Sequence, residues 1–187
     1  MTKRRITLSV EPMFYLLGAS LLLVIPLKWL ISILLCIAFH EAGHMFCARL
    51  LKIPIRHIHF GTSGIVIQIP SMQPWQELLC AASGPISGLI PMLLLRYLPE
   101  AALCSLLLTF YNLIPIYPSD GTRILRVILS FLFRNSTVTI LISVIATLAC
   151  LFIILLGVYG TFFLRLGVLP LALGVFLLLR RKREKMP

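Results

Sequence analysis

Residues 29–51 read WLISILLCIAFHEAGHMFCARLL, and this stretch decides the class of fold. A helix needs about 20 mostly apolar residues to cross the hydrocarbon core of a bilayer. Comparable apolar stretches lie at roughly residues 10–27, 77–97, 101–117, 137–159 and 162–180. The pattern predicts an all-α polytopic membrane protein with about six transmembrane helices.

The composition of the chain agrees with a membrane protein. Of its 187 residues, 59% are hydrophobic and 12% are charged, whereas soluble domains carry about 25% charged residues. This excludes an ordinary water-soluble globule, a disordered chain and a nucleic-acid-binding domain. The 5 cysteines are scattered through apolar segments, so we interpret them as small buried hydrophobes rather than as disulfide partners.

The basic residues predict the orientation in the membrane. The net charge is +11, from 17 Lys+Arg against 6 Asp+Glu. Lys and Arg concentrate in the cytoplasmic loops of membrane proteins. With six spans and both termini in the cytoplasm, only Lys28, Arg96 and Arg165 would lie on the outer side. We therefore expect cytoplasmic termini.

Two segments interrupt the apolar pattern. Residues 53–72 are too polar and too rich in β-branched residues for another span, and Ile65–Ile69 reads IVIQI. This predicts a short re-entrant or interfacial β-hairpin after the second span. Residues 112–121 read NLIPIYPSDG, so prolines and a glycine break the fourth span before an amphipathic helix over 122–133. Irregular backbone at membrane depth needs protein or a water-filled cavity around it.

The second span contains His40-Glu41-Ala42-Gly43-His44. The two histidines are one helical turn apart, so both imidazoles can reach one metal ion. Glu41 is beside that face, placed to act as a general base. Ionisable groups inside a span cost about 2.5–3.5 kcal/mol each on insertion scales, and for that reason they usually mark functional sites. The alternative is a polar contact between two spans.

A catalytic zinc site needs a third protein ligand and an open fourth position. Asp120, the only aspartate of the chain, lies in the broken helix and is the favoured candidate. Its alternative role is to cap the helix that begins at Gly121. His57 and His59 are weaker candidates, because they alternate with apolar residues beside Arg56 and more readily face interfacial water.

The chain resembles the site-2 protease family of intramembrane zinc metalloproteases (peptidase M50). His40-Glu41-x-x-His44 with Ala48 is similar to the family's H-E-x-x-H-x-x-x-A segment. Residues 112–121 are similar to its N-x-x-P-x-x-P-x-D-G segment, and Ser83-Gly84-Pro85 to the motif of the intervening span. The similarity covers a catalytic core of about residues 29–135, with accessory helices at about 10–27 and 137–180.

The resemblance implies that His40, His44 and Asp120 bind one Zn²⁺ ion and that Glu41 is the catalytic general base. It implies that Asn112 binds the substrate, although Asn112 could instead join two helices. The short layout most resembles the sporulation branch, typified by stage IV sporulation protein FB, in a bacterial cytoplasmic or forespore membrane. The substrate would be a membrane-associated protein such as a pro-sigma factor, with regulatory membrane proteins and the lipid bilayer as further partners and no nucleic acid.

The chain departs from the family pattern at two places. Gly88 stands where the family has an asparagine, and Phe60–Gly64 replaces a Pro-x-Gly-Gly turn. We expect residues 1–187 to form a single domain without a nucleotide-sensing CBS domain. Serine and aspartyl intramembrane proteases are disfavoured, because no histidine follows His59 and the chain has one aspartate. The remaining rival is a membrane metal transporter or a non-catalytic scaffold.

Overall fold

The computed structural model describes residues 7–10, 12–54, 57–61, 64–68, 72–163, 165, 172 and 174–178. Its elements, in chain order, are β1 (Thr7–Val10), α1 (Pro12–Val24), α2 (Leu27–Leu50), β2 (His57–Gly61), β3 (Gly64–Gln68), α3 (Pro74–Gly88), a 3-10 helix (Ile90–Leu94), α4 (Pro99–Leu113), α5 (Asp120–Ser130) and α6 (Asn135–Phe162). The chain forms two compact units, Met1–Phe110 and Tyr111–Pro187.

Three stretches among the described residues are helical, long and apolar enough to cross a membrane: Leu27–Leu50, Pro74–Leu94 and Asn135–Phe162. They expose large apolar side chains such as Leu34 and Leu148, as helices that face lipid do. The expectation of a helical, integral membrane protein is confirmed at this level.

The number of spans stays a prediction. α1 has 13 residues and α4 has 15, so each is shorter than the apolar stretch from which a span was expected. The sixth expected span, 162–180, falls largely outside the described residues.

The end of α2 is fixed by its backbone. Lys52 adopts a left-handed conformation with φ 54°, and the amide of Ile53 donates to the carbonyl of Ala48 at 2.8 Å. This is a Schellman motif, in which the residue after the left-handed one also packs back on the helix. Ile53 does so in a buried cluster with Ala48 and Cys80, so the chain leaves α2 in a defined direction.

Helices α2 and α3 approach closely through small residues. A side chain at Gly43 would overlap Ser87 of α3, and the Ser87 hydroxyl donates to the Phe39 carbonyl at 2.8 Å. Small residues that let backbones meet, with serine hydroxyls bonding across, are characteristic of helix pairs in membranes. This contact places α3 against the histidine face of α2.

Helix α4 is tied to the same unit by two hydrogen bonds. The Cys36 thiol of α2 donates to the Ala101 carbonyl at 3.3 Å, and the Ser105 hydroxyl donates to the Gly88 carbonyl at the end of α3. All five cysteines are free thiols, as expected from their scattered positions.

A small sheet has the strand order β1-β2-β3. β2 and β3 pair antiparallel with Gly61 opposite Gly64, and β1 pairs parallel with β2. The sequence predicted a strand over residues 65–69 but no strand at residues 7–10. The placement of this sheet at a membrane interface stays a prediction.

The second unit contains α5 and the long helix α6. The buried face of α6 recurs at intervals of about four residues, at Val138, Ile142, Ala146 and Cys150, which is the helical period of 3.6. Cys150 closes a buried cluster with Ile116 and Leu177. Ile116 lies in the irregular segment before α5, so this packing fixes the segment that leads to Asp120.

Candidate metal centre

His40 and His44 form a converging pair on α2. Their Nε2 atoms are 3.3 Å apart, and the ring planes are at 85° with centroids 4.9 Å apart. Two imidazole nitrogens bound to one tetrahedral zinc at about 2.0–2.1 Å each would be about 3.4 Å apart. The spacing of the pair therefore matches the separation of two imidazole ligands on one zinc ion.

The orientation of His44 is set by α3. Its Nδ1 lies 2.7 Å from the carbonyl oxygen of Cys80. A carbonyl only accepts hydrogen bonds, so Nδ1 carries the hydrogen and donates it, and Nε2 of the neutral ring keeps its lone pair. Metal-binding histidines commonly bond a carbonyl or carboxylate through the nitrogen that does not bind the metal. His44 is therefore in the tautomer that a metal ligand requires.

Gly84 makes room for the His44 ring. A Cβ atom added to Gly84 would overlap Nε2 and Cε1 of His44. The imidazole thus lies directly on the backbone of α3, and only glycine allows this close approach. This is the physical reason for a glycine in the Ser83-Gly84-Pro85 segment.

Asp120 is the first residue of α5 and is 7% exposed. The prediction that Asp120 could cap this helix is wrong, because Ser119 is the N-cap and its hydroxyl accepts from the amide of Thr122 at 3.2 Å. Asp120 is therefore the first residue of the helix and not its N-cap. Its Oδ1 lies 3.7 Å from Nη1 of Arg123, and a negative charge in the first turn is favoured by the helix dipole.

His40, His44 and Asp120 are the donor set that the sequence predicts. The two histidines lie on α2 in the first unit, and Asp120 begins α5 in the second. Two imidazoles and one carboxylate are donors that zinc accepts. The donor set therefore fits the ion that the sequence predicts.

The other predicted residues have defined positions. Glu41 follows His40 on α2 and is half-buried, and Asn112 is half-buried in the last turn of α4. His57 and His59 lie in β2. The roles of Glu41 and Asn112 stay predictions.

One partner of the site was missed by the sequence analysis. Cys80 was interpreted as a buried hydrophobe, yet its carbonyl accepts the hydrogen bond from His44. No side-chain pattern could reveal this contact, because it uses a backbone atom brought close by the packing of α2 on α3.

The fold can be compared with known structures. The site-2 protease from Methanocaldococcus jannaschii matches with a TM-score of 0.70 over 100% of this chain and 94% of its own, at 22% sequence identity. The chain has the fold of a site-2 protease. No protein-family model matches the chain.

A sequence comparison agrees with this result. A curated zinc metalloprotease of the same organism, Methanocaldococcus jannaschii, is 30% identical over an alignment of 114 residues, and the match covers 54% of this chain and 34% of the relative. The chain spans about a third of the length of this relative. Both comparisons agree with the resemblance carried by the histidine, glycine-proline and aspartate motifs.

Proposed function

We propose that this chain is an intramembrane zinc metalloprotease of the site-2 protease type, a hydrolase that cleaves a membrane-associated or membrane-spanning protein. One observation carries the proposal. The Nε2 atoms of His40 and His44 converge at 3.3 Å within a helix apolar enough to cross a membrane, with Glu41 between them in sequence. Ionisable side chains inside a span are energetically costly, and for that reason they usually mark functional sites.

His40, His44 and Asp120 would hold a single zinc ion in this account. Support comes from the fixed tautomer of His44, the glycine that admits its ring and the burial of Asp120 at the start of α5. When bound, zinc supplies Lewis-acid chemistry and lowers the pKa of a coordinated water to about 7. Three protein ligands leave a fourth position open, as catalytic zinc sites require.

Glu41 is the proposed general base. It accepts a proton from the attacking water as the new C–O bond forms, and it passes that proton to the amide nitrogen as the C–N bond breaks. Asn112, at the end of α4, would donate a hydrogen bond from its side-chain amide to the substrate. Both side chains are half-buried, which is compatible with a site that water and peptide can enter.

The substrate must present an extended backbone to such a site, because a helix keeps its peptide groups hydrogen-bonded internally. In the strand order β1-β2-β3, β3 has a second edge without a partner strand among the described residues. An unwound substrate segment could add to this edge by β-augmentation. The sheet would then hold the peptide in the extended form that hydrolysis needs.

The membrane, the orientation and the substrate of the protein are also proposals. The basic charge of +11 supports a multi-pass protein with cytoplasmic termini, and the membrane would be a bacterial cytoplasmic or forespore membrane. Within the sporulation branch the substrate would be a membrane-associated pro-sigma factor. Regulatory membrane proteins would be additional partners.

The test is co-expression with a candidate membrane-tethered transcription factor, comparing the wild type with Glu41→Gln. We expect cleavage to fall by about 10²–10⁴-fold, the usual contribution of a general base, while zinc content is unchanged. Glu100→Gln, in the first turn of α4, is the matched control and should cleave normally. Undiminished cleavage by Glu41→Gln would contradict the proposal. A transporter or scaffold would instead keep its function in that variant.

A further inference from the structure

Thr109 carries a buried hydroxyl that the proposed mechanism does not use. The residue lies on α4 and is 6% exposed. Its Oγ1 has no hydrogen-bond partner within the part of the chain that the structure describes. Buried hydroxyls are nearly always hydrogen-bonded, so an exception calls for an explanation.

The surroundings of Gly88 show which polar atom the hydroxyl faces. A Cβ atom added to Gly88 would lie 3.2 Å from Thr109 Oγ1 and also 3.2 Å from His40 Nδ1. The two polar atoms therefore line the same small space over the Gly88 backbone. Because each is 3.2 Å from the same point, Thr109 Oγ1 and His40 Nδ1 are less than twice 3.2 Å apart. Because position 88 has no side chain, nothing from it stands between them.

The backbone around this space is held firmly. Ser105, one turn before Thr109 on α4, donates its hydroxyl to the Gly88 carbonyl. Ser105 is fully buried. The end of α3 and the Thr109 face of α4 are thus fixed relative to each other.

We propose that Thr109 is a positioning residue for His40. Its hydroxyl accepts the hydrogen of His40 Nδ1, which leaves the lone pair on Nε2 for the metal. Thr109 would do for His40 what the Cys80 carbonyl does for His44 at 2.7 Å. Such outer partners fix the ring orientation and make the ligand more basic. The inference rests on the proposed function, because it requires His40 to be a zinc ligand.

The experiment measures zinc affinity of the full-length protein in detergent, by competition with a chromophoric chelator, and thermal unfolding of the metal-free protein. Thr109→Val keeps the shape of the side chain and removes the hydroxyl. We expect it to weaken zinc binding by about 10–100-fold, as measured for other outer-shell partners. Thr109→Ser should bind zinc nearly as the wild type does. The unfolding temperature of metal-free Thr109→Val should be unchanged or higher, because the valine leaves no buried hydroxyl to satisfy.

Thr147→Val is the matched control. The Thr147 hydroxyl donates to the Ser143 carbonyl of its own helix at 2.7 Å, so its loss should leave zinc affinity unchanged. Wild-type affinity in Thr109→Val would overturn the inference, as would equal weakening in Thr109→Ser. A parallel loss of metal-free stability would assign Thr109 a structural role instead. If the wild type shows no zinc binding that depends on His40, the proposed function itself fails and this inference fails with it.

Discussion

At the scale of single residues, the close contact between Gly84 and His44 limits which substitutions the metal centre can accept. The imidazole lies against bare backbone, where a methyl group would overlap its ring atoms. The same ring is held from the other nitrogen by the Cys80 carbonyl at 2.7 Å. Since both contacts come from α3, a displaced ring would lose its hydrogen bond and its alignment with His40 together.

Gly84→Ala should therefore weaken zinc binding strongly, by about 10-fold or more, in the range seen for lost outer-shell contacts. Gly88→Ala is the matched comparison, because its methyl group would lie at 3.2 Å from His40 Nδ1 rather than overlap a ring. We expect a smaller loss for Gly88→Ala. Competition with a chelator measures both affinities, and an equal or greater loss in Gly88→Ala would refute this ordering.

The sequence predicted the histidine pair because helical spacing alone brings residues 40 and 44 to one face. It favoured Asp120 as the third ligand with helix capping as the alternative, and the structure gives the cap to the preceding serine. Propensity favours both residue types as caps, so the choice depends on the backbone path after Ile114. The Cys80 carbonyl and the Thr109 hydroxyl were not predictable, since each acts through packing between helices distant in sequence.

At the scale of elements, the start of α5 depends on Ser119. Its hydroxyl donates to the Ile114 carbonyl at 2.5 Å and accepts from the Thr122 amide at 3.2 Å. One side chain thus joins the irregular segment to the first turn of the helix. Asp120 follows directly, so the position of its carboxylate depends on the same bonds.

Ser119→Ala should destabilise the protein by about 0.5–2 kcal/mol, the usual effect of losing an N-cap, and should weaken zinc binding. Ser119→Asp restores a capping side chain and should recover most of the stability. Ser130→Ala is the control, because the Ser130 hydroxyl donates to the Val127 carbonyl of its own helix at 2.7 Å. Denaturant unfolding in detergent gives the comparison, and a stability of Ser119→Ala equal to that of Ser130→Ala would argue against the role of this cap.

Strand β3 gives a second prediction at this scale. Neighbouring residues of a strand direct their backbone amides to opposite sides. The amides of Val66 and Ile67 therefore point to opposite edges of β3. Proline removes the amide hydrogen, so it removes a hydrogen bond from one edge of the strand. We therefore expect Val66→Pro and Ile67→Pro both to impair substrate cleavage while zinc stays bound. The alanine variants at the same positions keep the amide and should cleave more. Normal cleavage by both proline variants would exclude binding of the substrate at this strand.

Some helices and strands were predicted more accurately than others. The apolar stretch from residue 29 gave α2 within a few residues, because composition and length suffice for such a helix. β1 was missed, since its pairing of Thr7 with His57 joins distant parts of the chain. α1 and α4 came out shorter than expected, because prolines interrupt the apolar runs beyond them.

For the whole molecule, the scarcity of acids is as informative as the apolar composition. The chain has 6 Asp+Glu among 187 residues. Glu41 follows a histidine in an apolar helix, and Asp120 is buried at the start of α5. These two acids account for the proposed chemistry, whereas the basic excess is explained by orientation in the membrane.

The proposed function requires one zinc ion held by three side chains. The decisive measurement is the zinc content per chain, by elemental analysis of protein purified in detergent and dialysed against buffered zinc. We predict about one zinc per chain in the wild type, as for other mononuclear catalytic sites, and a large loss in each of His40→Ala, His44→Ala and Asp120→Ala. His57→Ala and His59→Ala, which alter the other two of the 4 histidines, should keep the ion. Absence of zinc from the wild type, or its full retention in any of the three ligand variants, would contradict the account.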